Sequence, residues 1–162
     1  MKKALMRTMA ACLVMLCAIP AHAVLVIQAF DADSMPRLVA GQKGKPFVLV
    51  VWSLDCEYCQ TSLQNLTQEK RKGRTLNIVT LSTDAAADAQ AVKLMKMKLR
   101  KFDIDNDAWA YGAAAPEQLR YAIDPNWHGE KPRSYWFNAR GESIAYSGVI
   151  TPAIINRLAA RP

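Results

Sequence analysis

The residues KPFVLVVWSLDCEYCQTSL, running from Lys45 to Leu63, decide how this chain is read. Phe47 to Trp52 is an unbroken apolar run, rich in Val and preceded by Gly44-Lys45-Pro46, which is the pattern of a strand buried on both faces. Cys56 and Cys59 follow, separated by Glu57 and Tyr58, and a segment able to be helical begins there. A helix N-terminus carries partial positive charge and unpaired N–H groups, which favour a thiolate in its first turn. The spacing of three puts both sulfurs on one side of that turn, close enough to form a disulfide.

Outward from this stretch, the chain of 162 residues with 51% hydrophobic content is enough for one domain with a real core. Residues 1–23 read as a cleaved signal peptide. Lys2, Lys3 and Arg7 form a basic n-region, Met9 to Ile19 an apolar h-region, and Ala21-His22-Ala23 an A-x-A cleavage site. The apolar run is shorter than the roughly 20 residues a membrane span needs. Lipoprotein processing is disfavoured, because the run before Cys12 is short and bulky Leu16 precedes Cys17. The expected mature domain is 24–162, exported to an oxidising compartment such as the periplasm.

Cleavage changes two counts. Loss of Lys2, Lys3 and Arg7 takes the net charge from +7 to +4, mildly basic and no pointer to nucleic acid. Loss of Cys12 and Cys17 leaves Cys56 and Cys59 as the only thiols. A structural disulfide framework needs widely spaced pairs, so one vicinal pair in an exported chain favours redox chemistry.

The remaining elements follow in order. Val24 to Phe30 reads as a strand, and Asp31 to Gly44 as a polar connector with a short helical turn near Ser34-Met35-Pro36. A helix is expected from Cys56 to Lys72, closed by Lys70, Arg71 and Lys72 and by Gly73 as C′ residue. Leu76 to Ser82 is a second buried strand. Asp84 is the expected cap of a helix to Phe102, whose apolar face is Val92, Met95, Leu99 and Phe102, with Lys93, Lys96 and Arg100 on the solvated side. Leu94-Met95-Lys96-Met97 is core and edge rather than a metal box. Trp109 to Tyr111 is a short strand, and Pro116 to Ile123 a helix with Pro in its first turn. Asp124 to Pro132 is a turn-rich loop. Ser134 to Asn138 and Ser143 to Gly148 form a hairpin, and a final helix runs from Pro152 to near Ala160 with Thr151 as cap. The sum is an α/β fold with a mixed sheet flanked by helices.

GKPFVLVVWSLDCEYC resembles the active-site signature of exported thioredoxin-fold proteins of the TlpA/ResA-like family, with Trp52 at the aromatic position four residues before the first Cys. Trp127-His128-Gly129-Glu130-Lys131-Pro132 and the hairpin and helix after it are similar to the family's cis-proline loop and closing elements. The resemblance spans the whole expected mature chain. It implies a thioredoxin-like fold, a cis Pro132 packed against the CxxC, and thiol–disulfide exchange in which Cys56 attacks and Cys59 resolves. It also implies protein disulfide or dithiol substrates; Trp52, Trp127, Lys131 and Pro132 are the candidate substrate-contacting positions, with Trp127 a packing residue first and a substrate contact second. A monomer with no cofactor is expected, recharged by a membrane electron donor of the DsbD type.

The chain departs from the pattern in places. Asp55 stands before the first Cys where Trp is frequent, Ser62 where reductive members carry an acid, and Val50 where thioredoxins proper carry one. Asp55 and Glu57 flank the nucleophile, and negative charge there opposes a thiolate. Lys131 offsets part of it. The charges favour a reductant; Tyr58 and Ser62 argue against one.

Other uses of a CxxC fit less well. Zinc needs about four ligands, and His128 is the only further soft candidate. Haem attachment needs His after the second Cys, and Gln60 stands there. Merely buried thiols do not explain placement at a helix start. A copper metallochaperone using Cys56, Cys59 and His128 is the alternative function, although thioredoxin-fold copper chaperones use CxxxC spacing.

Overall fold

A computed structural model describes residues 25–105 and 107–159. The signal segment expected at 1–23 and Ala160 lie outside the described residues. The central strand forms as the apolar run dictates: β2 is Phe47–Trp52, and all six of its residues are buried. Its side chains alternate between two cores. Val48, Val50 and Trp52 join Cys59, Leu63, Met95, Leu99 and Ile155 on one face. Phe47, Leu49 and Val51 join Leu38, Leu119, Ile123 and Trp127 on the other. A strand covered on both sides has no use for polar alternation, hence its continuous hydrophobicity.

Around β2 the sheet is mixed, as expected. With β1 as Ile27–Phe30, β3 as Ile78–Ala85, β4 as Ala108–Tyr111, β5 as Arg133–Phe137 and β6 as Ser143–Ser147, the strand order is β1-β4-β3-β2-β5-β6. The first four in that order pair parallel, and β5 and β6 pair antiparallel. Helices α2 (Glu57–Arg71), α3 (Ala89–Lys101) and α5 (Pro152–Ala159) bury side chains on one face; α1 (Ser34–Gly41) and α4 (Pro116–Ile123) cover the other. Thr151 caps α5, its hydroxyl accepting from the Ile154 N–H at 3.4 Å. Gly73 ends α2 at φ +94, a left-handed conformation that favours glycine.

Two elements differ from the sequence expectation. The connector before β2 holds a full helix, α1, rather than one turn. Pro36 is its third residue, in the first turn, where a missing N–H removes no intrahelical bond. The second correction has consequences for the site. β3 does not end at Ser82: it continues to Ala85 through a register shift between Ser82 and Ala85 against β4. Asp84 therefore lies in the strand, and Asp88 caps α3, accepting from the Gln90 and Ala91 N–H groups at 2.8 and 3.1 Å. An irregularity of this kind turns side chains out of the ladder, and here the residues within it are Thr83 and Asp84.

Candidate functional site

Cys56 and Cys59 form a disulfide, with sulfurs 2.06 Å and Cα atoms 5.2 Å apart. Cys56 is the N-cap of α2 in extended conformation, and its sulfur accepts the Cys59 N–H at 3.2 Å. That N–H is one of the unpaired donors every helix start must satisfy; here a sulfur satisfies it. Cys59, one turn in, is fully buried against the core. Cys56 is half-buried, so the two sulfurs differ in access although they share a turn. Tyr58, between them, is 68% exposed, and Glu57 is exposed in the first helical turn.

The β2–α2 loop that presents Cys56 is held from three directions. The Asp84 carboxylate accepts the Leu54 N–H at 2.9 Å and the Ser82 hydroxyl at 2.6 Å. The Gln60 side chain donates to the Leu54 carbonyl at 3.3 Å. Lys131 Nζ donates to Ser53 Oγ at 2.7 Å and to Thr83 Oγ1 at 3.0 Å, and Ser53 Oγ donates to Asp55 Oδ1 at 2.5 Å. The Ser53 hydrogen bond first, and the nearby Lys131 charge second, hold the Asp55 carboxyl below its ordinary value of 3.8. Asp55 is therefore a charged neighbour of Cys56, and Lys131 faces it.

Pro132 follows a cis peptide bond and is buried. Arg133, the next residue, stands opposite Val51 in the β2–β5 ladder, so the proline sits at the end of β2 from which the CxxC loop departs. Beyond it Arg133 donates to Asp124 Oδ2 at 2.8 Å, Tyr135 donates to the same oxygen at 3.1 Å, and Arg133 donates to Ser147 Oγ at 2.7 Å.

The residues expected to meet substrate separate into two groups. Lys131 and Pro132 lie beside the CxxC loop. Trp52 is 0% exposed and Trp127 1%, and they belong to the cores on opposite faces of the sheet. Trp127 Nε1 is spent on the Glu130 carbonyl at 2.9 Å, which shapes the loop ahead of Pro132. Neither indole offers surface in this structure. His128 is exposed.

Ser62 is fully buried and ties two segments together. It donates to the Tyr58 carbonyl at 2.9 Å and accepts the Ile150 N–H at 3.0 Å, while Asn65 donates to the Ile150 carbonyl at 2.9 Å. Sequence reading missed Asp84, Ser53 and Thr83 as parts of the site. No local pattern marks them, because each acts through a partner on another loop.

No family model matches the sequence, and no curated protein matches it. Solved structures do. A secreted disulfide oxidoreductase of Mycobacterium tuberculosis, homologous to E. coli DsbE, aligns with a TM-score of 0.53 at 21% identity, over 75% of this chain and 86% of its own. A thiol:disulfide interchange protein of the thioredoxin family from Chlorobium tepidum TLS aligns at 0.51 and 20% identity, over 74% and 80%. A DsbF homologue from Corynebacterium diphtheriae aligns at 0.54 and 14% identity, over 75% and 74%. These likenesses establish the thioredoxin-like fold expected for the chain.

Proposed function

We propose that the chain is an exported thiol–disulfide oxidoreductase of the TlpA/ResA-like kind, working through Cys56 and Cys59 on protein substrates. The observation that carries this reading is the disulfide at the start of α2, with a half-buried outer sulfur and a fully buried inner one. In the reduced protein the Cys56 thiolate attacks one sulfur of a substrate disulfide. That S–S bond breaks, a mixed disulfide forms, and the departing substrate sulfur takes up a proton. Cys59 then gives up its proton and attacks Cys56, releasing the second substrate thiol. Two electrons and two protons have passed to the substrate, and the Cys56–Cys59 disulfide must be reduced again by an external dithiol, for which a membrane donor of the DsbD type is suited.

Reduction, rather than oxidation, is the proposed direction. Asp55 and Glu57 flank Cys56 and oppose the very stable thiolate that makes a strong oxidant. The signal-like segment 1–23, proposed to be cleaved from domain 24–162, and the secreted mycobacterial neighbour support export to the periplasm. Among the described residues no helix is long and apolar enough to cross a membrane. No observation favours the copper carrier: among the described residues, no group of three or more His, Cys, Asp or Glu side chains is placed to hold a metal.

Equilibration with glutathione tests the direction. A potential near about −270 mV, the thioredoxin value, is expected; one near about −120 mV would make the protein an oxidant.

A further inference from the structure

The charges around Cys56 are not independent of one another. Asp55 precedes it, Glu57 follows it, and Asp84 closes the loop from β3 through the Leu54 N–H. From the α4–β5 loop comes one cation, Lys131. Its ammonium is fixed between two hydroxyls, Ser53 in the β2–α2 loop at 2.7 Å and Thr83 near the end of β3 at 3.0 Å. Ser53 is 3% exposed and donates its hydroxyl hydrogen bond to Asp55 at 2.5 Å, so cation, hydroxyl and carboxylate form one chain. We propose that Lys131 is a positioning residue whose ammonium, anchored by Ser53 and Thr83, neutralises Asp55 and so keeps the charge around Cys56 balanced for attack.

The geometry distinguishes Asp55 from Glu57. Asp55 shares a hydroxyl with Lys131, whereas Glu57 makes no bond to that chain. Lysine at this place is therefore anchored inside the site. Two of its three N–H donors already have acceptors. The inference rests on the dithiol reading of Cys56 and Cys59, but its test needs no substrate.

The test is the pH dependence of alkylation of the reduced protein by iodoacetamide, in which the Cys56 thiolate forms the S–C bond and iodide leaves. Below the thiol's midpoint, Lys131→Met should slow the reaction by about threefold to tenfold, the consequence of a midpoint raised by half a unit to one unit. Asp55→Asn should speed it. In the double variant the Lys131→Met effect should shrink to less than half, because the charge it opposed is gone, while combined with Glu57→Gln it should persist in full. Lys131→Arg should restore most of the rate. Ser53→Ala carries the same test if Lys131→Met does not fold, since it removes the hydroxyl joining the charges. An unchanged midpoint in Lys131→Met, or an undiminished effect in the double variant, overturns the inference. Reduced protein whose Cys56 and Cys59 fail to exchange with a small disulfide in every variant overturns the dithiol reading instead.

Discussion

The Asp84 carboxylate accepts the backbone N–H of Leu54 at 2.9 Å across 30 residues of sequence. That single bond joins β3 to the loop presenting the outer cysteine, and it exists because β3 shifts register just before Ala85. An aspartate placed to cap a helix in the sequence is instead a clamp on the CxxC loop.

Removing the clamp should be felt in stability and reactivity together. Asp84→Ala leaves the partly buried Leu54 N–H and the Ser82 hydroxyl without their acceptor, at a cost of about 1–3 kcal/mol. Denaturant unfolding should show that loss, and Cys56 should exchange with small disulfides more slowly. Full stability in Asp84→Ala would mean that the loop is held adequately by Gln60 and Lys131.

The division of labour between the cysteines should appear as an order of labelling. With limiting alkylating reagent, reduced protein should be modified at Cys56 before Cys59, since Cys59 is 0% exposed. Cys59→Ser should accumulate mixed disulfides at Cys56 in cells, whereas Cys56→Ser should not. Peptide mapping showing Cys59 labelled first would reverse the roles.

Ser62 should behave as a structural strap. Ser62→Ala leaves the buried Ile150 N–H without its acceptor, which costs about 1–3 kcal/mol. The pH profile of Cys56 alkylation should stay where it is, because the hydroxyl is spent on Tyr58 and Ile150. A profile displaced in Ser62→Ala at unchanged stability would assign Ser62 to proton handling.

Acid should weaken the loop around Pro132 through Asp124. Burial pushes this carboxyl up, but the Asn126 N–H, the Arg133 guanidinium and the Tyr135 hydroxyl outweigh it and hold it below 3.8. A carboxyl depressed in the folded state contributes stability that is present above its unfolded value and lost as pH falls through its folded one. The stability gap between wild type and Asp124→Asn should therefore be constant above about pH 5 and narrow steadily below about pH 4. Unfolding midpoints measured across that range check it, and a gap indifferent to pH would show that the carboxylate's charge contributes nothing.

What the sequence determined by itself is whatever depends on near neighbours. The run Phe47–Trp52 could only be a doubly buried strand, and its two faces now line two cores. Cys56 capping α2, Lys70 and Arg71 closing it, Gly73 beyond it and Pro116 opening α4 all follow from helix-end chemistry acting within one turn. The tertiary structure alone decided which groups surround Cys56. Asp84 and Thr83, at the end of β3, and Lys131, in the loop before β5, lie 28, 27 and 75 positions away along the chain, brought together where β2, β3 and β5 meet. Trp127 carries no local periodicity that marks its burial either, whereas Trp52 shares the burial of its strand; packing on two faces of one sheet removed both rings from the surface. A hydrogen bond between loops has no periodicity to read, so these partners became visible only once the sheet had fixed the ends of its strands.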